Sequence, residues 1–487
     1  MRRLIGAASI AAVAIVMTAT SAAADNGGAQ RVSQGDPYAS CVLGAGGTGV
    51  NYPSAEVEPD VSVDPRNPGR VIGVFQQDRW SNGGAKGLAA VWSDDGRDFH
   101  QTTLPFDGCA PGGLSLYDRA SDAWVSFGPD GTAYADGLGL SFTRNAAGVA
   151  AATSYDGGRT WQHTTDLVDD PSAQFADDKN SVTADPVRPG IAYAVWDRFD
   201  FGPSGNQFTA RTVLSQTRDS GRTWSQPRVI VDPGPNTQTQ GNVIVVDPRT
   251  GRLYDFYNLI AYTDASASTV ARSDEAFVSS DDGGRTWSPQ VIFAHDTSIV
   301  DRDPNTGAAL RTGAGPIVGG ALPSEAIDPH TGELYVAYES TDFTGGARDQ
   351  IQLVHSTDGG RAWSPPTRVN GAPQAVAFTP TVAVAANGAV GVTYYDTRTL
   401  QPGNTTTLPV GTYLAISPRG GEQFTDHQIA APFDELSAPN AGGFFVGDYE
   451  GLTAFGDQFQ AMFVETNSGQ PADRTDVFTG TFQASPR

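Results

Sequence analysis

The chain has 487 residues, more than one ordinary core accommodates, so several domains or one large repeat are expected. Glycine (57) and proline (32) together make up close to a fifth of it, which argues against a mainly helical protein. A formal net charge of -23, with Lys86 and Lys179 as its lysines, argues against nucleic acid and anionic membranes as partners.

Met1-Arg2-Arg3 precedes an apolar run from Leu4 to Val16, and Ala22-Ala23-Ala24 stands before Asp25. A basic start, a run too short to span a bilayer and a small-residue cleavage site predict a signal peptide over 1–24. The chain is therefore expected to be secreted and extracellular. In an exported protein the two cysteines, Cys41 and Cys109, predict one disulfide. They do not make a zinc site.

One octapeptide then recurs. Ser154-Tyr-Asp156-Gly-Gly158-Arg-Thr160-Trp161 is followed by copies built on Asp219 and Trp224, Asp282 and Trp287, and Asp358 and Trp363. A shorter variant carries Asp95 and Phe99, and a decayed one ends at Phe424. The closing aromatics are 61 to 63 residues apart, with one longer step before Trp363, so the structural unit is about 62 residues long. Asp suits a tight turn because it accepts backbone N–H bonds, and Gly supplies positive φ. Trp is expected to pack beneath the turn. These residues are therefore read as structural.

A second pattern runs out of phase with the first. An alternating strand, a Pro/Gly turn and a second strand ending in an aromatic and an acid recur from Val61 to Asp78 through Leu452 to Glu465. Each unit then has four antiparallel strands, and radial repetition of such units is a β-propeller. Seven first–second strand pairs predict seven blades. The last lacks a fourth strand, and the segment from Cys41 to Val57 is expected to supply it. The expected organisation is a leader and ring-closing segment over 25–58 and one propeller over 59–487.

The octapeptide S-x-D-x-G-x-T-W resembles the Asp box, or BNR repeat, and the chain resembles the sialidase superfamily of secreted Asp-box propellers over about 59–482. The resemblance implies a glycosidase; members with sialidase activity have six blades, which is the alternative architecture. It also implies three arginines on a substrate carboxylate, an Asp acid/base and a Tyr nucleophile activated by Glu. The family's R-I-P motif is missing, so its catalytic set does not transfer residue by residue.

Propeller ligands use the face that carries the residues just before each first strand and just after each second one. Arg79, Arg198 and Arg398 fall there, each within two residues of an Asp, and are candidates to converge on an anion. The alternative is that each pairs with an acid of the rim. Trp80 and Glu325 are further substrate-binding candidates. Tyr449 and Glu450 are candidates for the nucleophile pair, and Asp78, Glu339 and Asp396 for acid/base carboxylates. The same crowding of acids allows a calcium site, although no cofactor is required. The insertion over 295–322 is expected to form a lid or a specificity loop. All six histidines map away from this face, against a Ser-His-Asp triad or a histidine zinc site. The expected function is a sialidase-like glycoside hydrolase, a monomer, acting on an acidic or sialylated extracellular glycan. The alternatives are a non-catalytic carbohydrate- or protein-binding propeller and a polysaccharide lyase.

Overall fold

The computed structural model describes residues 28–44, 49–300, 302–307 and 322–484. The expected signal peptide and the Gly-rich heart of the expected lid lie outside them. The described chain is all-β, with two 3₁₀ turns, Asp342–Thr344 and Glu435–Ser437.

The strands assemble in antiparallel groups of four. Group one is Val57–Val63, Val71–Arg79, Ala85–Ser93 and His100–Thr103. Group two is Arg119–Phe127, Ala133–Ser141, Ala146–Ser154 and Gln162–Asp170, and group three is Phe175–Ala184, Ala192–Asp200, Thr209–Thr217 and Arg228–Val231. Group four is Thr237–Val246, Leu253–Tyr262, Val270–Ser280 and Val291–His295. Group five is Ser324–Ile327, Leu334–Ser340, Gln350–Ser356 and Thr367–Arg368, and group six is Ala377–Val384, Val390–Asp396, Pro409–Ser417 and Thr425–Gln428. The last group has Gly451–Phe455, Gln458–Thr466 and Thr475–Gln483.

Burial is greatest on the inner second and third strands of a group and least on the fourth. Val71–Arg79 is buried at every position, whereas His100–Thr103 has none buried. A strand covered on both faces reads as a near-continuous apolar run, and an exposed edge strand turns polar. The apolar clusters lie in the seams between consecutive groups. Ile72, Val74 and Leu88 pack on Val125 and Phe127, and Tyr193 and Val195 pack on Ile244 and Val246. The same happens between the last group and the first, where Met462, Val464 and Val477 pack on Val61, Val71 and Phe75.

The octapeptides sit at the turns from third to fourth strand. Asp156 Oδ1 accepts Thr160 N at 3.0 Å and Ser154 Oγ at 2.8 Å, and Gly158 (φ 89°) donates to Ser154 Oγ. Asp219, Asp282 and Asp358 repeat these bonds, and Asp95 accepts the amides of Arg97 and Asp98. The tryptophans do more than support their own turn. Trp161 packs against the seam between groups one and two, Trp224 between two and three, and Trp287 between three and four. Trp363 stacks on Phe293 of the preceding group, with ring centroids 4.3 Å apart.

The fourth strand of the last group corrects the expected register. Gln30–Arg31 supplies it, opposite Thr479 and Phe478, rather than the segment from Cys41 to Val57. Cys41 is disulfide-bonded to Cys109, which holds that later segment on group one, where Asn51 bridges Trp80. No helix among the described residues is long and apolar enough to cross a membrane.

Candidate functional site

The first strands share a local irregularity that positions the site. Between Val57 and Asp60, Ser121 and Trp124, Asp178 and Ser181, Gln240 and Val243, and Phe378 and Thr381 the register shifts, with one extra residue on the first strand. Each bulge puts one residue at positive φ: Glu58 (53°), Asp122 (52°), Lys179 (45°), Gly241 (69°) and Thr379 (54°). That conformation is uncommon outside glycine and costs about 1–3 kcal/mol, and bulges often re-aim a side chain next to a functional site.

In three adjacent groups the re-aimed side chains meet. Lys179 Nζ lies 3.6 Å from Glu58 Oε1, 3.4 Å from Asp122 Oδ2 and 2.8 Å from Asp448 Oδ2. Gln76 Nε2 donates to Glu58, and Asp448 N donates to Glu58 Oε1 at 3.3 Å. Burial, then Asp122 and Asp448, push the Glu58 carboxyl up to about 8 despite the neighbouring Lys179. Burial raises Asp178 to about 6, with Lys179 opposing, and the surrounding acids hold Lys179 protonated. Glu58, Asp122, Asp178, Lys179, Asp448 and Arg79 line one open cavity of about 350 Å³, whose wall also carries Phe199 and Phe201. Lys179 and Asp448 also line a second cavity, with Trp124, Asn242 and Tyr449.

The candidates named from sequence are distributed as follows. Arg79 lines the first cavity, donates to Gln76 Oε1 at 2.7 Å and covers the Phe445 ring. Arg198 pairs with Asp170 at 2.7 Å over Phe175. Arg398 pairs with Asp396 and Asp426 over the Tyr413 ring and lines a separate cavity with Asn305 and Gln374. Arg79 and Arg398 therefore do not meet in one cavity. Trp80 is buried beneath the Arg119 guanidinium, 4.0 Å from its ring.

Among the acids, Asp78 pairs with Lys86 at 2.8 Å and accepts Ser54 N. Glu339 accepts the amide of Thr379, at the bulge of group six. Asp136 and Asp197, at matching positions, accept Asn180 Nδ2 and Gly241 N in the bulges of the following groups. Second-strand acids thus brace the bulges. Glu325 is raised well above an ordinary carboxylic acid by burial and by Asp255. Tyr449 lies 5.2 Å from Trp124, and its buried Oη has no hydrogen-bond partner among the described residues. Burial and then Glu58 and Asp122 push its phenol well up, so it holds its proton at neutral pH. Glu450 engages the amide of Val464 at 3.3 Å.

Glu58 is the residue that sequence reasoning missed. Asp122, Asp178, Lys179 and Asp448 fall on the expected face, but no pattern in the sequence marked them as meeting. The signal was Gly241, whose positive φ fills the bulge position that Glu58, Asp122 and Lys179 occupy in other groups.

No family model and no curated protein matches the chain. Among solved structures it is similar to a protein of unknown function from Dyadobacter fermentans (13% identity, 89% of this chain and 96% of that one, TM-score 0.47). It is also similar to a leech intramolecular trans-sialidase (10%, 89% and 92%, TM-score 0.44) and to a Penicillium chrysogenum α-L-arabinanase (14%, 75% and 93%, TM-score 0.43).

Proposed function

We propose that the chain is a secreted, seven-bladed Asp-box propeller that hydrolyses an extracellular glycan at the channel mouth around Lys179. The seven-bladed ring is supported by the seam between the last group and the first and by the N-terminal strand that completes the last group.

The observation that carries the catalytic reading is that Glu58 and Asp178 line one cavity with their acidities pushed apart, to about 8 and about 6. Glycoside hydrolysis needs a carboxylic acid to protonate the leaving oxygen and a carboxylate to assist attack on the sugar. Near pH 7 Glu58 holds the proton and Asp178 is ionised. Lys179 Nζ lies 3.6 Å from Glu58 and its backbone N donates to Asp178 Oδ1 at 3.0 Å, and Phe199 and Phe201 offer apolar surface to a sugar face. For an acidic or sialylated substrate, Arg79 is the one arginine of the three candidates at this mouth.

A second reading, a propeller that binds glycan without cleaving it, is favoured by the pairing of Arg198 and Arg398 with rim acids. One screen separates the two. Wild type and Glu58→Gln are assayed for hydrolysis of sialosides, uronic-acid glycans and neutral pentosides. The catalytic reading expects turnover of one class, reduced about 10²–10⁴-fold in the variant. No turnover of any class by the wild type would sink it.

A further inference from the structure

A separate acidic cluster lies where the N-terminal strand joins the last group. Glu56 precedes the first strand of group one, Asp473 lies in the loop before Thr475–Gln483, and Asp476 lies in that strand. One carboxylate oxygen from each falls within 4.8 Å of the other two. The cluster shares no residue with the mouth cavity.

Glu56 is the informative member. It is 1% exposed, and its Oε1 accepts Gln77 Nε2 at 2.5 Å. Its Oε2 is buried with no hydrogen-bond partner among the described residues, and so is Asp473 Oδ1. One Glu56 carboxylate oxygen lies within 4.8 Å of a carboxylate oxygen of both Asp473 and Asp476, so its carboxylate faces them. A buried carboxylate with an unmatched oxygen facing two others needs a proton or a cation.

The cation already present covers part of the charge. Arg31 reaches Asp476 at 2.7 Å and Asp473 at 3.8 Å, with its own side chain 46% exposed. Asp476 also accepts Ser33 Oγ and Asn467 Nδ2, which fixes its orientation. With all three ionised, the one guanidinium would leave two negative charges uncompensated among the described residues.

We propose that Glu56, Asp473 and Asp476 bind one calcium ion, which pins the N-terminal strand to the last group. The donors are all hard oxygens, as calcium requires. One is on a loop and two are on or beside strands of different groups, a looser arrangement than the octahedron magnesium demands. The ion would join Ser33, Arg31 and the last group to the chain just before group one, across the junction of N- and C-terminal segments.

The test uses the full chain, stripped with a chelator and titrated with calcium chloride at pH 7 by calorimetry and thermal melting. The expected result is one binding event and a melting temperature higher by several degrees, with a smaller shift from magnesium chloride. Glu56→Gln should abolish both signals, and Asp473→Asn, on the partly exposed side, should weaken binding in a chain that still folds. No heat and no shift in the wild type would overturn the proposal and leave Glu56 as a protonated acid. A shift matched by magnesium or by sodium chloride of equal ionic strength, or binding retained in both variants, would overturn it equally. None of these outcomes depends on glycan turnover.

Discussion

Replacing Lys179 by Met removes the positive charge that Glu58, Asp122 and Asp448 share, at 3.6, 3.4 and 2.8 Å. Methionine keeps most of the side-chain length and, like lysine, is non-glycine at this left-handed position (φ 45°), so the change isolates the charge. Each such pair is worth about 4 kcal/mol at an effective dielectric of 20, and desolvation offsets much of it. Removing one partner of a buried network costs about 3–5 kcal/mol, because the other charges stay buried. The loss should depend on pH. Glu58 and Asp178 have folded acidities near 8 and near 6, above their ordinary values. Their contribution to stability is full below the ordinary carboxylate range and is lost as pH rises through those values. At pH 5 Glu58 and Asp178 carry protons in the folded variant and add no charge around position 179, so the loss should be smaller than at pH 8, with Asp122 and Asp448 still left without their cation. Urea unfolding at pH 5 and pH 8 measures both. A loss under about 1 kcal/mol at pH 8, or an equal loss at the two pH values, would refute the reasoning.

Three further outcomes are expected. Arg398→Ala leaves buried Asp396 without its guanidinium, so unfolding should become easier by about 3 kcal/mol, while kcat/KM of any glycan turnover stays within about twofold. Trp363→Ala removes the ring stacked on Phe293 in the seam between groups four and five and should cost about 3 kcal/mol by the same unfolding assay. Asp156→Ala deletes the acceptor for Thr160 N and Ser154 Oγ and should lower stability by about 1–2 kcal/mol without changing turnover.

The architecture was largely legible because its corners are chemically narrow. Asp156, Gly158 and Trp161 each meet a separate local demand, and four close copies of that set fix the period of the repeat. The second strands were legible too, since burial on both faces leaves runs such as Val71 to Phe75. The fourth strand of the last group was not. Gln30 and Arg31 form two residues of edge strand, held by pairing to Thr479 and Phe478, and two residues carry no periodicity. The site was harder for a different reason. Glu58, Asp122 and Lys179 meet only because a bulge holds each of them at positive φ, a conformation their residue types do not advertise. Charge adjacency in sequence also pointed the wrong way for pairing: Arg198 sits beside Asp197 but bonds to Asp170, which belongs to the neighbouring group.

The central claim is that Glu58 and Asp178 act as acid and base at the mouth. The pH dependence of kcat/KM for wild type and Glu58→Gln, on whichever glycan the screen turns over, tests it most directly. The rate should rise as Asp178 ionises near pH 6 and fall as Glu58 loses its proton near pH 8. The Glu58→Gln variant should keep the acidic limb, lose the alkaline one, and run about 10²–10⁴-fold slower at pH 7. A wild-type profile with no alkaline limb, or a variant profile that retains it at wild-type rate, would contradict the account.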